Sequence, residues 1–511
     1  MRLHRRTLLG SGMAAFLSAP VLAQSRDEIT LAIARDIQGA LDPATRLSSL
    51  EANILRAVCP GLIAFRPGSF AWEPALARAI RQDSPTVISF ELHPGRHFQD
   101  GFGEVTAEDV KFSFERFREP GPDGKPPSYA ADWEALDHVE VTGPHAGRIL
   151  LRTPAPMLWS TVLPDASGCI ISRRAFAQGA YRTDRQPVRV IGAGPYTFAQ
   201  WEPNRAVVLR ADPSWPGPKP AFARITLRPM RDARTAELAL RGDELQFAAI
   251  DPQNVATIGR VARTRVMKQD GINMVWLGLN VERPPLDDPR VRQAIRAAID
   301  VPSVVEGGWG GAASVAHAPI APGLLGHWEA APRRGRDLAA ARRMLAEAGA
   351  QRLRLRLTLL NQPTYQNAGV VLQALLAEAG ITIDLDVRDG GAFWSAGSGE
   401  AGKSLELVLQ RFAGKADPAF NLQWFTAAQV GEWNWQRWRD PEFDRLVADA
   451  ARTDDAAVRT KQYIAAQQRM DESAAFIWLT HEVHAFGYRD WLVPAVLPNG
   501  DDMSFDRFAR A

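Results

Sequence analysis

A strand–helix–strand pattern between residues 352 and 387 constrains the fold of this chain more than any other feature. Residues 352–359 read RLRLRLTL, and this alternation of polar and apolar side chains predicts a strand with one buried face. Residues 364–379 have a helical pattern that stops at Gly380, and 381–387 then alternate again. Two strands joined through a helix run parallel in one sheet. The pattern therefore predicts an α/β fold.

Two further predicted strands run into polar loops that are suited to binding a ligand. The loop 35–39 follows a strand at 29–34, and the loop 411–418 follows a strand at 405–410. Open α/β sheets bind ligands beyond the carboxyl ends of their strands. We therefore expect the two loops to face each other across a cleft. In the first loop, the candidate ligand-binding residues are Asp36 and Gln38.

Three helices can be bounded from their terminal residues. A capping-box pattern begins a helix at 107–118, and Asp288 followed by proline begins a second helix, which ends at 301–302. The third covers 337–349, with an aspartate at its start and a glycine at its end.

The N-terminal segment 1–23 has the features of a cleaved secretory signal. Arg5 and Arg6 precede a mostly apolar run at 8–22, and small residues follow where a signal peptidase cleaves; the paired arginines favour the twin-arginine route. A membrane anchor is the alternative, but the run is interrupted and shorter than the ~20 residues of a membrane span. Cleavage changes the formal charge from +2 to −1. That charge argues against nucleic acid or an anionic membrane as a partner.

The two cysteines, Cys59 and Cys169, leave two alternatives open. An exported protein can oxidise them to a disulfide, but their separation in sequence says nothing about their distance in space. We favour two buried, unpaired thiols.

Sequence motifs that indicate catalysis, metal binding or cofactor binding are weak in this chain. No GxSxG nucleophile motif is present. His481 and His484 are three residues apart, whereas a zinc-protease helix places its histidines four apart. The glycines of the turn 192–195 suit a close backbone approach better than a dinucleotide. We predict no catalytic activity, no metal and no cofactor.

Sequence blocks across nearly all of the chain after residue 23 resemble one family. The most specific are 93–101 (HPGRHFQDG) and 106–113 (TAEDVKFS). The others, in chain order, are 41–43, 61–63, 72–77, 192–196, 279–280, 285–294, 298–300, 417–418 and 434–444. Together they are similar to the periplasmic solute-binding proteins of the dipeptide, oligopeptide and nickel cluster, extracellular solute-binding family 5.

The resemblance implies a two-lobed periplasmic binding-protein fold with an extra domain inserted in lobe one. Lobe one would comprise 27–65, 189–272 and 488–511, the inserted domain 66–188, and lobe two 273–487. Two crossovers would act as a hinge, and closure over the ligand would exclude water and strengthen the polar contacts inside.

The resemblance also implies a function without catalysis. The chain would be a monomeric periplasmic receptor that hands a peptide or peptide-like solute to the permease and ATPase of an ABC importer. One alternative is a non-peptide anionic solute, such as an opine, a sugar conjugate or a metal chelate. An exported hydrolase and a receptor that only senses its ligand are further alternatives.

The loop 411–418 departs from the pattern of peptide-binding members. The resemblance implies an aspartate that holds the peptide ammonium three residues before the acid–proline pair, and this chain has Gly414 there. Arg411 stands where peptide binders often have tryptophan, and it could instead pair with a ligand carboxylate or phosphate. A surface position, or a pair with Asp417, is the alternative for Arg411. The candidate residues of this loop are Arg411, Gly414, Lys415 and Asp417.

Tryptophans are unusually frequent, and several of the 15 follow this loop. Aromatic walls with a few polar groups suit a cleft for a small ligand, whereas packing in the core of lobe two is the alternative. The candidates in this segment are Trp424, Trp433, Asn434 and Trp435.

Overall fold

Two β-sheets lie at the centres of two lobes in the computed structural model, which describes residues 27–120, 124, 126–184 and 187–511. The predicted signal segment 1–23 lies outside the described residues. Among those residues, none of the helices combines the length and apolar character that crossing a bilayer requires.

Lobe one is built on a seven-stranded mixed sheet. Its central strand, Glu28–Ile33, pairs in parallel with a neighbour on each side, and the other pairs are antiparallel. In spatial order the strands are Tyr196–Glu202, Ala206–Ala211, Arg224–Pro229, Glu28–Ile33, Phe247–Ala249, Val483–Arg489 and Thr264–Asp270.

Lobe two is built on a five-stranded sheet that contains the predicted βαβ unit. Leu353–Leu360 and Ile381–Arg388 are parallel, with Leu353 opposite Ile381, and Pro363–Glu378 is the helix between them. The α/β prediction for this half is confirmed. In spatial order the strands are Ile381–Arg388, Leu353–Leu360, Leu407–Phe412, Met274–Leu279 and Phe476–Thr480.

A four-stranded antiparallel sheet forms the body of the inserted segment. Its strands are Ala77–Ser84, Val87–Leu92, Ala146–Leu151 and Leu136–Gly143. One continuous apolar core joins this sheet to lobe one, since Leu31 and Phe90 belong to the same cluster of buried side chains. Short two-stranded pairs are formed by Ile63–Phe65 with Trp72–Pro74, His97–Phe98 with Gly103–Glu104, and Leu492–Val493 with Ala509–Arg510.

The helices begin where the sequence signals place them. Asp288 and Asp337 each accept a backbone N–H of the first helical turn, at 2.8 and 2.9 Å. Thr106 and Asp109 form the predicted capping box. The described helices are Ser49–Val58, Ala107–Glu115, Arg173–Ala177, Ala233–Arg241, Val255–Ile258, Pro289–Ala298, Val301–Trp309, Leu338–Glu347, Pro363–Glu378, Gly390–Trp394, Pro418–Leu422, Pro441–Ala451 and Ala456–Ser473.

Two short crossovers connect the lobes and contact each other. Residues 271–273 join Asp270 of the first sheet to Met274 of the second, and 481–482 return the chain to the first sheet. The Gly271 N–H donates to the Glu482 carbonyl at 3.1 Å. Because the strand Val483–Arg489 pairs within the seven-stranded sheet, the second crossover lies a few residues before the predicted end of lobe two at 487.

One strand differs from its prediction in a way that affects the site. The strand predicted at 405–410 covers Leu407–Phe412, two residues later. The partner strand Met274–Leu279 pairs with it as far as Phe412, with Val275 opposite Arg411. Arg411 therefore lies within the strand and not in the loop after it.

The two cysteines are buried and unpaired. The prediction of two free thiols is confirmed. Burial raises the pKa of the Cys169 thiol to about 12, and it also raises that of Cys59, so both stay protonated and unreactive at neutral pH.

Candidate functional site

A cavity of about 250 Å³ lies between the lobes and is lined by residues from both. Lobe one and the inserted segment supply Arg46, Ser48, Ser49, Ala52, Phe65, Phe70, Tyr129, Ser160, Thr161, Asp165, Asn499, Asp501 and Asp502. Lobe two and the first crossover supply Asn273, Ala413, Gly414, Lys415, Ala416 and Phe420. A solute held there would contact both halves of the chain, which is the geometry of a cleft that closes on its ligand.

The lobe-one wall is formed by the approach to the helix Ser49–Val58. Arg46 stacks on the Tyr129 ring, with its guanidinium carbon 3.6 Å from the ring centroid, and donates to the Ser167 hydroxyl at 3.1 Å. Both contacts cross to the inserted segment. They fix the Arg46 side chain before any ligand arrives, which lowers the entropy cost of binding.

The lobe-two wall is the loop after the strand Leu407–Phe412. The Gly414 N–H donates to the Asn273 side chain at 3.1 Å, which ties this loop to the first crossover. A Cβ atom at Gly414 would lie 1.9 Å from the Ile272 carbonyl oxygen. The position where the family resemblance implies an aspartate therefore has no room for a side chain in this chain.

Two contacts link this loop to the inserted segment across the cleft. The Lys415 ammonium lies 3.8 Å from a carboxylate oxygen of Asp132 and 4.7 Å from the centroid of the Phe420 ring. The Ser160 hydroxyl lies 3.5 Å from a carboxylate oxygen of Asp417. Because each pair joins opposite sides of the cleft, these contacts favour the closed arrangement.

Removal of the Lys415 charge is expected to weaken closure. The Lys415→Met variant should bind the solute about two- to fivefold more weakly, as expected for the loss of a partly exposed ion pair. Calorimetric titration measures this change. Lys461→Met, which removes an exposed charge from a lobe-two helix, is the control. Equal affinities of the two variants would show that the Lys415–Asp132 contact does not contribute to closure.

Asp417 is held in the interior of lobe two. Its carboxylate caps the helix Pro418–Leu422 and forms two hydrogen bonds of 2.8 Å with Arg459, while only 3% of the Asp417 side chain is exposed. The predicted loop residue Asp417 thus has its charge satisfied within the protein, and Arg459 and not Arg411 is its partner.

Arg411 points to the crossovers, and the described lining of the 250 Å³ cavity does not include it. Its guanidinium donates to Glu482 at 3.1 Å, and Tyr365 and Asn273 donate to the same carboxylate at 2.7 Å each. Burial opposes ionisation of Glu482, but Arg411 and these two donors hold its pKa below the usual value. The charge of Arg411 is therefore already neutralised in the absence of a ligand.

The other crossover residues are directed to each other. His481 Nδ1 lies 3.1 Å from the Asn273 carbonyl oxygen, and because a carbonyl only accepts, this nitrogen carries the proton. Burial lowers the pKa of His481 to about 4, so the ring is neutral at neutral pH. Within the described ranges, no three histidine, cysteine, aspartate or glutamate side chains are grouped as a metal site would need.

The first predicted loop, 35–39, packs away from the described lining of the cavity. The Asp36 carboxylate accepts the Trp201 indole N–H at 3.0 Å and the Asn204 backbone N–H at 2.6 Å. The Gln38 backbone N–H donates to Glu51 at 2.6 Å. Residues further along the chain line this side of the cavity instead, namely Arg46, Ser48, Ser49 and Ala52.

The predicted aromatic residues divide into a cluster beside the cavity and two buried residues. Trp424 packs edge-on against Phe420 and Trp433, with ring centroids 5.2 and 6.1 Å apart, and Trp433 is 39% exposed. Asn434 and Trp435 are buried, at 0% and 1% exposure, and their side chains bind backbone carbonyls of lobe two. Only Phe420 joins this group to the described cavity lining.

Sequence reasoning missed the C-terminal turn 499–502 and the crossover residue Asn273. The turn reads NGDD, which is a common loop sequence and carries no local sign of a ligand site. Its place in the cleft follows from tertiary contacts, since Asn53 binds both the Asp501 carbonyl and the Met503 N–H, at 3.0 and 3.1 Å.

Comparisons with known proteins agree with this geometry. A model of the bacterial extracellular solute-binding proteins, family 5, matches residues 71–433. The chain is 29% identical to a probable di/tripeptide-binding protein 5 of Pseudomonas aeruginosa, over 91% of this chain and 93% of that protein. It is 27% identical to the glutathione-binding protein GsiB of Pectobacterium atrosepticum, over 94% of each. The structure of HbpA2 from Haemophilus parasuis superposes with a TM-score of 0.83 at 22% identity, over 95% of this chain and 100% of that one. The predicted two-lobed fold is confirmed.

Proposed function

Because this chain belongs to the bacterial extracellular solute-binding proteins of family 5, we propose that it captures a short peptide between its lobes and delivers it to the permease of an ABC importer. The observation that carries the proposal is the interlobe cavity, which residues of both lobes and a crossover line. Relatives named for di- and tripeptides and for glutathione, itself a tripeptide, support a short peptide as the solute.

The size of the cavity fits this class of solute. A volume of about 250 Å³ is slightly below the ~300–1,000 Å³ of typical small-molecule sites, so it suits a compact solute rather than a long chain. The anionic alternative depended on a free Arg411, whose guanidinium is paired with Glu482. A peptide is therefore better supported than an anionic conjugate.

The proposed pathway places the protein in the periplasm as a monomer, exported through a cleaved signal at 1–23. Its membrane partners are the permease and the ATPase of the importer, which recognise the closed conformation of the protein. Binding, closure and release need no chemical change in the solute, so the role is that of a carrier and not of an enzyme.

A bulky side chain at Ala413 is expected to abolish solute binding. Ala413 lines the cavity and is exposed, so Ala413→Trp fills the cleft with little effect on the core. The unmodified protein should gain about 2.7 kcal/mol of stability at a peptide concentration of 100 times Kd, and the variant should gain none. Thermal unfolding with a pool of di- and tripeptides measures the difference.

The control is Ala457→Trp, at an exposed position on a lobe-two helix outside the described cavity lining. It should respond to peptides like the unmodified protein. A peptide response that survives in Ala413→Trp would place the solute elsewhere, and a lack of response in the unmodified protein would remove peptides as the solute class.

A further inference from the structure

A second cavity lies behind the first, on the side of the crossovers. It has a volume of about 290 Å³, and its lining includes Trp309, Tyr365, Glu482, His484 and Asp501. Asp501 also lines the interlobe cavity. The two cavities therefore meet at this one acidic side chain.

The acids on the lobe-one wall of the interlobe cavity other than Asp501 are paired within the protein. Arg56 forms ion pairs with Asp165 and with Asp502, the latter at 3.0 Å. Arg46 approaches Asp165 as well, at 3.8 Å. The charges of Asp165 and Asp502 are therefore neutralised by Arg46 and Arg56. None of these four side chains offers a free charge to a ligand.

The charges on the crossover side are also balanced, apart from Asp501. Arg411 neutralises Glu482. Burial holds the pKa of His484 below its usual value, so this ring is neutral at neutral pH. Among the described residues that line either cavity, the Asp501 carboxylate is the acidic group with no hydrogen-bond or ion-pair partner.

The backbone around Asp501 is held in place on both sides. Gly500 has a φ of +74°, which favours glycine, and a Cβ atom there would lie 1.9 Å from the His484 ring. Gly500 therefore packs directly against the His484 ring. On its other side, the Asn53 side chain donates to the Asp501 carbonyl at 3.0 Å. An unpartnered carboxylate that lines a cleft and is carried on a fixed backbone is suited to bind a cation.

We propose that Asp501 binds the ammonium group of the solute and thereby selects solutes with a free amine. The proposal rests on the proposed function, because it names the charge that a peptide must bring to the same cleft. It also accounts for the steric block at Gly414, since the counter-charge for an ammonium comes from lobe one and not from that loop.

The electrostatic state of Asp501 agrees with this role. Desolvation in the cleft raises the pKa of Asp501, and the nearby positive charge of Arg411 does not fully offset this effect. A cation in the cleft supplies the missing stabilisation of the carboxylate. Solute affinity should therefore decrease as the pH falls through this raised pKa, because the protonated acid no longer attracts an ammonium.

The test uses the mature protein and three matched peptide sets in calorimetric titrations. The first set contains di- and tripeptides with a free N-terminus, and the second the same peptides N-acetylated. The third set is N-acetylated and contains lysine, so that a side-chain ammonium can be distinguished from the α-ammonium. The variants are Asp501→Asn and the control Asp287→Asn, which neutralises an exposed acid of lobe two.

We expect the unmodified protein and Asp287→Asn to bind the free-amine peptides and to bind the second set at least about tenfold more weakly. Asp501→Asn should keep its unfolding temperature and lose at least about tenfold in affinity for the first set. Binding of the third set like the first would assign the side-chain ammonium to this site.

Equal binding of the first and second sets, or an unchanged affinity of Asp501→Asn for the first, would overturn the role of Asp501 and leave peptide capture intact. No binding of any set by the unmodified protein would overturn both proposals together.

Discussion

Replacement of Arg459 by methionine is expected to lower the free energy of unfolding of lobe two by about 3–5 kcal/mol. The Arg459 guanidinium forms two 2.8 Å hydrogen bonds with Asp417 and is itself almost fully buried. Methionine fills a similar volume but leaves the carboxylate of Asp417 buried without a counter-charge. The destabilisation comes from this stranded charge and not from lost packing.

Urea unfolding measures the effect, and two further variants identify its cause. Arg452→Met removes an exposed arginine of the same lobe and should change stability by less than about 0.5 kcal/mol. The double variant Asp417→Asn/Arg459→Met should regain part of the loss, because asparagine keeps the helix cap without a buried charge. If the single variant lost less than about 1 kcal/mol of unfolding free energy, water would have to reach Asp417 and replace the hydrogen bonds of the arginine.

Introduction of aspartate at Gly414 is expected to destabilise the protein by more than about 4 kcal/mol and to abolish solute binding. The Cβ atom would lie 1.9 Å from the Ile272 carbonyl oxygen, and a backbone atom can only move away if the first crossover shifts. The same shift would break the hydrogen bond between the Gly414 N–H and Asn273. The carboxylate that the family resemblance implies at this position would therefore disrupt the site.

Ala413→Asp is the matched control, because it places the same carboxylate one residue away on an exposed position of the cavity wall. Thermal unfolding should show a change within about 0.5 kcal/mol for this variant. If Gly414→Asp proved as stable as Ala413→Asp, the loop would be able to move, and the steric reason for the glycine would be wrong.

The strand and helix pattern was predictable because it depends on local chemistry. The alternation in 352–359 and 381–387 corresponds to strands Leu353–Leu360 and Ile381–Arg388, which are parallel as the connecting helix requires. The turn at 192–195 was predicted to need small residues, and a Cβ atom at Gly192 would lie 1.7 Å from the Val58 carbonyl oxygen. Each of these features follows from side-chain spacing or from sterics of the backbone.

The candidate site was predicted only in part. The loop after the strand Leu407–Phe412 lines the cavity, as the rule for α/β sheets suggests, with Gly414 and Lys415 in its wall. Arg411 was assigned to this loop, whereas its strand continues to Phe412, because the end of the strand is set by pairing with Met274 and Val275 of a neighbouring strand. Successive side chains of a strand point to opposite faces of the sheet. The position of the strand end therefore determined the environment of the Arg411 side chain.

The sequence by itself determined the α/β class, the helix caps and the membership of a two-lobed family, since these depend on periodicity and on residues close together in the chain. The tertiary structure decided which charges are free. Arg411, Lys415 and Asp417 find partners 71, 283 and 42 residues away, while Asp501 finds none among the described residues. Charge pairing is set by distances in space, and the order of residues along the chain does not contain those distances.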